Sequence, residues 1–223
     1  MESSQYFSNI YSKFWMKQTH VYGFDPYCQG LVRLIQETSP RQAFEVGIGT
    51  GWPIASTLKE NGITVDGCDV AESLVNQARQ ALNNKDGIWV GEVTQYQGEP
   101  LYDTVYCLRV SWCIPDFYSV IDKMLSMTVP GGTVIFDIMD KYSSISMKTR
   151  WSLLVNKYYN FLGVDVDTDK TLGAAYGLFW LSPGRVKRYL ERRNITYRAL
   201  RNKDLDYIHK NKVVFVCRKG DKA

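Results

Sequence analysis

The 223 residues include 27 Lys and Arg against 23 Asp and Glu, a formal charge of +4, with 45% hydrophobic and 22% charged residues. These proportions exclude wholesale disorder, and the length suits one domain of ~100–200 residues with a lid or an insertion. No apolar run reaches the ~18 residues of a membrane span, and so small a charge does not by itself imply nucleic acid. Residues Met1–Phe7 have no basic n-region and no apolar h-region, so no secretory signal and a cytoplasmic location are expected. Cys28, Cys68, Cys107, Cys113 and Cys217 are scattered, odd in number and without a C-x-x-C, which predicts free thiols, no disulfide scaffold and no metal site.

In chain order, Asp25-Pro26 starts a helix whose apolar face is Leu31, Val32, Leu34 and Ile35. Strand and helix then alternate: strand Ala43–Gly47, helix Trp52–Asn61 stopped by Gly62, strand Ile63–Asp69 and helix Ala71–Leu82. A short strand Ile88–Val90, strand Tyr102–Val110 and helix Asp116–Met127 follow. Pro130-Gly131-Gly132 reads as a turn before strand Thr133–Ile138. Residues 141–181 break the rhythm with one helix-like stretch, Met147–Phe161. Ser182-Pro183 then opens a helix to about Arg193. Thr196–Leu200 and Lys212–Arg218 are strands with no helix between them, so they pair antiparallel. Such alternation predicts an α/β fold, a doubly wound, mostly parallel sheet with helices on both faces.

The segment from Ala43 to Trp52 is the most informative. Gly47, Gly49 and Gly51 stand at alternate positions between a strand and a helix, where the backbone must turn tightly and approach a ligand. Trp52 occupies the third glycine position of the dinucleotide G-x-G-x-x-G, and no Gly-Lys-Ser/Thr follows, which argues against NAD and against a P-loop. Asp69 ends the next strand 18 residues past Gly51, where a carboxylate can accept from a ribose diol; capping the following helix is compatible with that role.

With these residues the chain resembles the class I S-adenosylmethionine-dependent methyltransferases, well over residues 40–140 and loosely beyond. Glu45 to Gly51 matches the acidic-x-G-x-G-x-G motif. Val65 to Asp69 and the helix to Ala78 match the ribose strand and its helix. Gly91-Glu92 stands where the family often has Gly-Asp. Tyr102 to Asp116 matches the strand beside the methionine moiety, Val129 to Phe136 the turn before the fifth strand, and Phe179 to Leu190 the late helix. The resemblance implies a Rossmann-like seven-stranded sheet with one antiparallel strand. It implies S-adenosylmethionine as cofactor and S-adenosylhomocysteine as product. It assigns the methionine end to Gly47, Gly49 and the backbone near Leu108, and the ribose to Asp69. Val70 would pack on the adenine, Glu92 and the Val93 amide would read its edge, and Glu45 would orient the turn.

Methyl transfer from a sulfonium is an in-line displacement, so the protein mainly positions and desolvates, and only a hydroxyl of high pKa needs a base. The His that many small-molecule relatives carry after the fourth strand is missing from the stretch Val110–Asp116. The base candidates are His20, in an aromatic N-terminal segment, and Asp137 and Asp140 at the end of the fifth strand; an exposed His20 and a capping Asp140 are the plain alternatives. His209 reads as a surface residue. Aromatic residues crowd 5–27 and 142–180, suggesting a pocket closed by a lid and an insertion. Tyr11 and Tyr22 are candidates for cation–π contact with the sulfonium, against a core position or a homodimer interface for any single ring. Arg185, Arg188 and Arg192 share a helix face that could meet phosphates, or merely water.

The expectation is one methyltransferase domain. Residues 1–38 form the lid, 39–140 the cofactor core, 141–181 the substrate-side insertion, and 182–223 the last helix and strand pair. The expected reaction is methylation of a small-molecule acceptor at N or O, with no membrane partner and nucleic acid unfavoured. An RNA or protein methyltransferase and a non-catalytic cofactor-binding scaffold are the alternatives.

Overall fold

A computed structural model describes residues 24–143 and 181–220. The helix-like stretch Met147–Phe161 therefore lies outside the described residues. The first described helix, α1 (Pro26–Gln36), begins where expected. Asp25 accepts the Cys28 amide at 2.7 Å, and Pro26 fills a first-turn position whose N–H would be unpaired anyway. Then come β1 (Gln42–Val46), α2 (Ile54–Glu60), β2 (Thr64–Asp69), α3 (Glu72–Ala81), β3 (Ile88–Val90), β4 (Tyr102–Cys107), α4 (Phe117–Met127) and β5 (Thr128–Met139). The last elements are α5 (Pro183–Glu191), β6 (Thr196–Leu200) and β7 (Lys212–Arg218).

Among the boundaries that differ from the sequence expectation, three have a backbone reason. Helix α2 starts at Ile54 rather than Trp52, because the residue before a proline is driven out of the helical region and Pro53 has no N–H to give. Strand β4 stops at Cys107 rather than Val110, because the chain swings away through Arg109 at φ 64°. Strand β5 begins at Thr128, since residues 129–132 are accommodated as an irregularity in the ladder instead of a separate turn. Tyr102 pairs with Thr128, yet Thr104 pairs with Thr133. Gly132 then accepts the Lys219 amide at 2.9 Å, which keeps this stretch in the sheet.

Among the described residues the strands form one sheet in the order β3-β2-β1-β4-β5-β7-β6. Strand β7 runs antiparallel to both of its neighbours, and the remaining pairs are parallel. This is the Rossmann-like α/β arrangement expected. Successive strand residues point to opposite faces, so each strand feeds two cores. On one face Ala43, Tyr106 and Ile135 pack under α1, α2 and α3. On the other, Phe44, Val105 and Phe136 pack under α4 and α5, with Phe136 stacked on Phe215 at 5.2 Å between ring centroids. The same alternation puts Glu45, Asp137 and Lys212 on the α1 side, beside apolar neighbours. All five cysteines are free thiols. No described helix is long and apolar enough to cross a membrane.

Candidate active site

The strand order turns back on itself between β1 and β4, the place where the loops of a parallel sheet part and leave a crevice. The chain leaves β1 through Gly47, Gly49 and Gly51, all with positive φ of 75°, 56° and 78°. A Cβ on Gly47 would lie 2.8 Å from a Val110 methyl, so this turn needs glycine both for its dihedral and for its closeness to the loop after β4. Asp69, at the end of β2, ties the turn down. Its Oδ2 accepts the Gly49 amide at 3.0 Å and its Oδ1 the Ala71 amide at 2.9 Å. Burial raises the Asp69 pKa, and the two amides oppose that shift.

Glu45 lies below the turn, 5% exposed, and accepts the Tyr106 hydroxyl at 3.2 Å. Burial lifts its carboxyl to about 8, with the Tyr106 hydroxyl pulling the other way. Glu45, Gly47, Gly49, Asp69, Val70, Glu92, Val93 and Leu108 all border one cavity of about 650 Å³. Gly51 does not: it sits behind the turn, where a Cβ would come within 3.2 Å of Leu82. Glu92 is exposed and receives the Thr94 hydroxyl at 3.4 Å. Trp52 stands at the rim, 44% exposed and 6.2 Å from the Phe24 ring. Four carboxylic side chains (Glu45, Asp69, Glu92, Asp116) border the cavity against one cationic side chain, Arg109. The Gly49 amide is already given to a carboxylate. A pyrophosphate would therefore meet negative charge where a dinucleotide site offers free N–H groups.

Asp137 and Asp140 do not border the cavity. Asp137 is 0% exposed and fully engaged: the Tyr27 hydroxyl and Lys212 Nζ both reach Oδ2 at 2.7 Å, and the Arg109 amide reaches Oδ1 at 2.6 Å. Asp140 accepts the Tyr142 amide at 2.9 Å and pairs with Arg201 at 2.8 Å, so it caps the turn that leaves β5. Both carboxylates are held by protein donors away from the cavity, which weighs against the expectation of a general base at either. His209 is exposed, its ring 4.9 Å from that of Tyr27. His20, Tyr11 and Tyr22 lie outside the described residues.

Residues 44–136 match the family model described as a methyltransferase domain. The ubiquinone biosynthesis O-methyltransferase of Alkalilimnicola ehrlichii is 28% identical over 106 residues, 45% of this chain and 42% of that enzyme. The chain thus spans less than half the length of this curated relative. Two solved structures cover nearly the whole chain. A methyltransferase from Thermotoga maritima, described as a possible histamine N-methyltransferase, has a TM-score of 0.64 at 18% identity, covering 97% of this chain and 98% of its own. The magnesium protoporphyrin IX methyltransferase of Synechocystis with bound S-adenosylmethionine has a TM-score of 0.65 at 14% identity, covering 99% and 98%.

Residues 44–136 thus match a methyltransferase domain, and the chain shares its fold with the S-adenosylmethionine-dependent methyltransferases.

The fold gathers at one crevice the residues that the sequence distributes over β1, β2, the turn after β3 and the end of β4. Sequence reasoning missed Tyr27, Lys212 and Arg109, which converge on Asp137. The available signal was the period of two along β5 and β7, which sets Asp137 and Lys212 on one sheet face once the strands are paired.

Proposed function

We propose that the cavity binds S-adenosylmethionine and that the protein transfers its methyl group to a nitrogen or oxygen of a small-molecule acceptor. The observation that carries the cofactor reading is Asp69. It is half-buried, holds the Gly47–Gly51 turn with one lone pair of Oδ2, and keeps lone pairs for the two hydroxyls of a ribose. The acidic border suits a ligand carrying an ammonium and a sulfonium. Glu45 and the Leu108 backbone would face the ammonium end, and Glu92 with the Val93 amide the adenine edge. The cofactor supplies an electrophilic methyl. The protein's part is to hold it in line with the acceptor and to keep water out, with Val46, Ile48 and Leu74 forming apolar wall. An amine acceptor arriving deprotonated needs no base.

The small-molecule acceptor is supported by what the relatives are named for, a quinone pathway O-methylation, a porphyrin and, as a possibility, histamine. A second reading, transfer to RNA, is favoured by one observation. Arg185 and Arg188 on α5 and Arg192 after it are exposed, while the acids beside them, Asp122 and Glu191, are taken by Arg193 and Tyr197. Radiolabelled methyl transfer to a panel of phenols, catechols and amines, run beside total tRNA, decides between them. Label in the small-molecule arm supports the proposal, and label in the RNA arm alone overturns the acceptor class.

A further inference from the structure

The buried Asp137 cluster lies outside the cavity yet touches its wall. Asp137 divides its carboxylate. Oδ2 takes two anchors, the Tyr27 hydroxyl from α1 and the Lys212 ammonium from β7, each at 2.7 Å. Oδ1 takes one amide at 2.6 Å, that of Arg109. Arg109 is a non-glycine residue at φ 64°, a left-handed conformation costing ~1–2 kcal/mol, which persists only where its surroundings impose it. Leu108, Arg109 and Val110 all border the cavity, and Val110 is the residue against which Gly47 is packed. The Lys212 ammonium lies 4.3 Å from the Trp112 ring centroid and 4.6 Å from that of Tyr27, so the cation too is held against the chain that follows this loop.

We infer that Asp137 is a positioning residue: by clamping the Arg109 amide it holds the 108–110 loop in the left-handed turn that shapes the cofactor cavity opposite Gly47. The inference rests on the cavity binding S-adenosylmethionine. The same device is present across the crevice, where Asp69 accepts the amide of Gly49, also at positive φ. At Gly49 the dihedral is free of steric cost, whereas at Arg109 it is not, so the clamp matters more there. Lys212 and Tyr27 are what hold the carboxylate aimed while fully buried.

The test is a rescue. Glycine adopts the left-handed region without the penalty of a Cβ, so Arg109→Gly makes the clamp dispensable. Binding of S-adenosylhomocysteine is measured by calorimetry for wild type, Asp137→Asn, Arg109→Gly and the double variant. Each is also made with Lys212→Met, so that no ammonium is left buried beside a neutral amide. Asp137→Asn weakens binding by about 5- to 30-fold where Arg109 is kept, and by less than about threefold where it is combined with Arg109→Gly. In the single variant the Arg109 amide exchanges its hydrogen at least about tenfold faster while the β4 amides do not change. Equal losses with and without Arg109→Gly, or an unchanged Arg109 exchange rate, overturn the clamp and leave the cluster as an anchor of α1 and β7 alone. Failure of the wild type to bind S-adenosylhomocysteine overturns the cofactor reading instead, and the exchange rate of the Arg109 amide then decides the clamp.

Discussion

Asp69 and Asp137 occupy equivalent places, each at or near the carboxyl end of a parallel strand, and each accepts an amide from a left-handed residue on the adjacent loop. Their surroundings give them different work. Asp69 is half-buried, borders the cavity and has only backbone partners among the bonds that hold it, so it keeps capacity for a ligand. Asp137 is closed off by an ammonium and a phenol and, 0% exposed, offers no oxygen to a ligand. Position at a strand end therefore does not make a carboxylate catalytic; what its oxygens already hold decides that.

The comparison is broken most forcefully at Lys212. Lys212→Met leaves Asp137 buried without its cation, which costs about 3–5 kcal/mol and lowers Tm by about 6–20 °C. Urea and thermal unfolding read this, and the same change at a cavity carboxylate should do far less. Gly47→Ala comes next. Positive φ and a Cβ 2.8 Å from Val110 together cost about 2–4 kcal/mol, and cofactor-product affinity falls with it in calorimetry. Asp69→Ala sharpens the contrast from the other side. On the proposed cofactor reading it removes charge-assisted bonds to a ribose worth about 2–3 kcal/mol, an affinity loss of about 30- to 150-fold.

Glu45 gives the cavity a pH signature. Its folded pKa of about 8 stands above the ordinary 4.5, so in this window the folded state binds more protons than the unfolded one. Stability is then fully present below about 4.5 and is lost as pH rises towards 8; in Glu45→Gln that slope, followed as Tm against pH, is flattened. A cationic ligand favours the ionised carboxyl, so affinity for S-adenosylmethionine rises over the same range. The smallest effect is expected at Arg193, whose pair with Asp122 at 2.8 Å is exposed on both sides. Arg193→Ala changes stability by less than about 1 kcal/mol in urea.

The Asp69 side of the crevice was legible in the sequence because its signals are local. The alternate glycines and the strand ending in Asp69 lie in short stretches whose chemistry follows from spacing, and the Gly91-Glu92 step followed from resemblance to the family. The Asp137 side was not, because its partners stand 110, 75 and 28 residues away in the chain. Asp137 and Asp140 were correctly placed at the end of β5, yet nothing local showed that Lys212, Tyr27 and Arg201 would occupy them. The Pro130-Gly131-Gly132 run has turn chemistry, and only pairing with the chain beyond β7 keeps it in the sheet. The elements themselves were found because buried parallel strands and amphipathic helices carry distinct periods.

The most direct measurement is a calorimetric titration of the wild-type protein with S-adenosylhomocysteine and, separately, with NAD. Saturable binding of S-adenosylhomocysteine with no heat from NAD is the expected result, since the Gly49 amide is already committed to Asp69 and the border is acidic. Binding of NAD, or of neither ligand, would contradict the assignment of this cavity to a sulfonium cofactor.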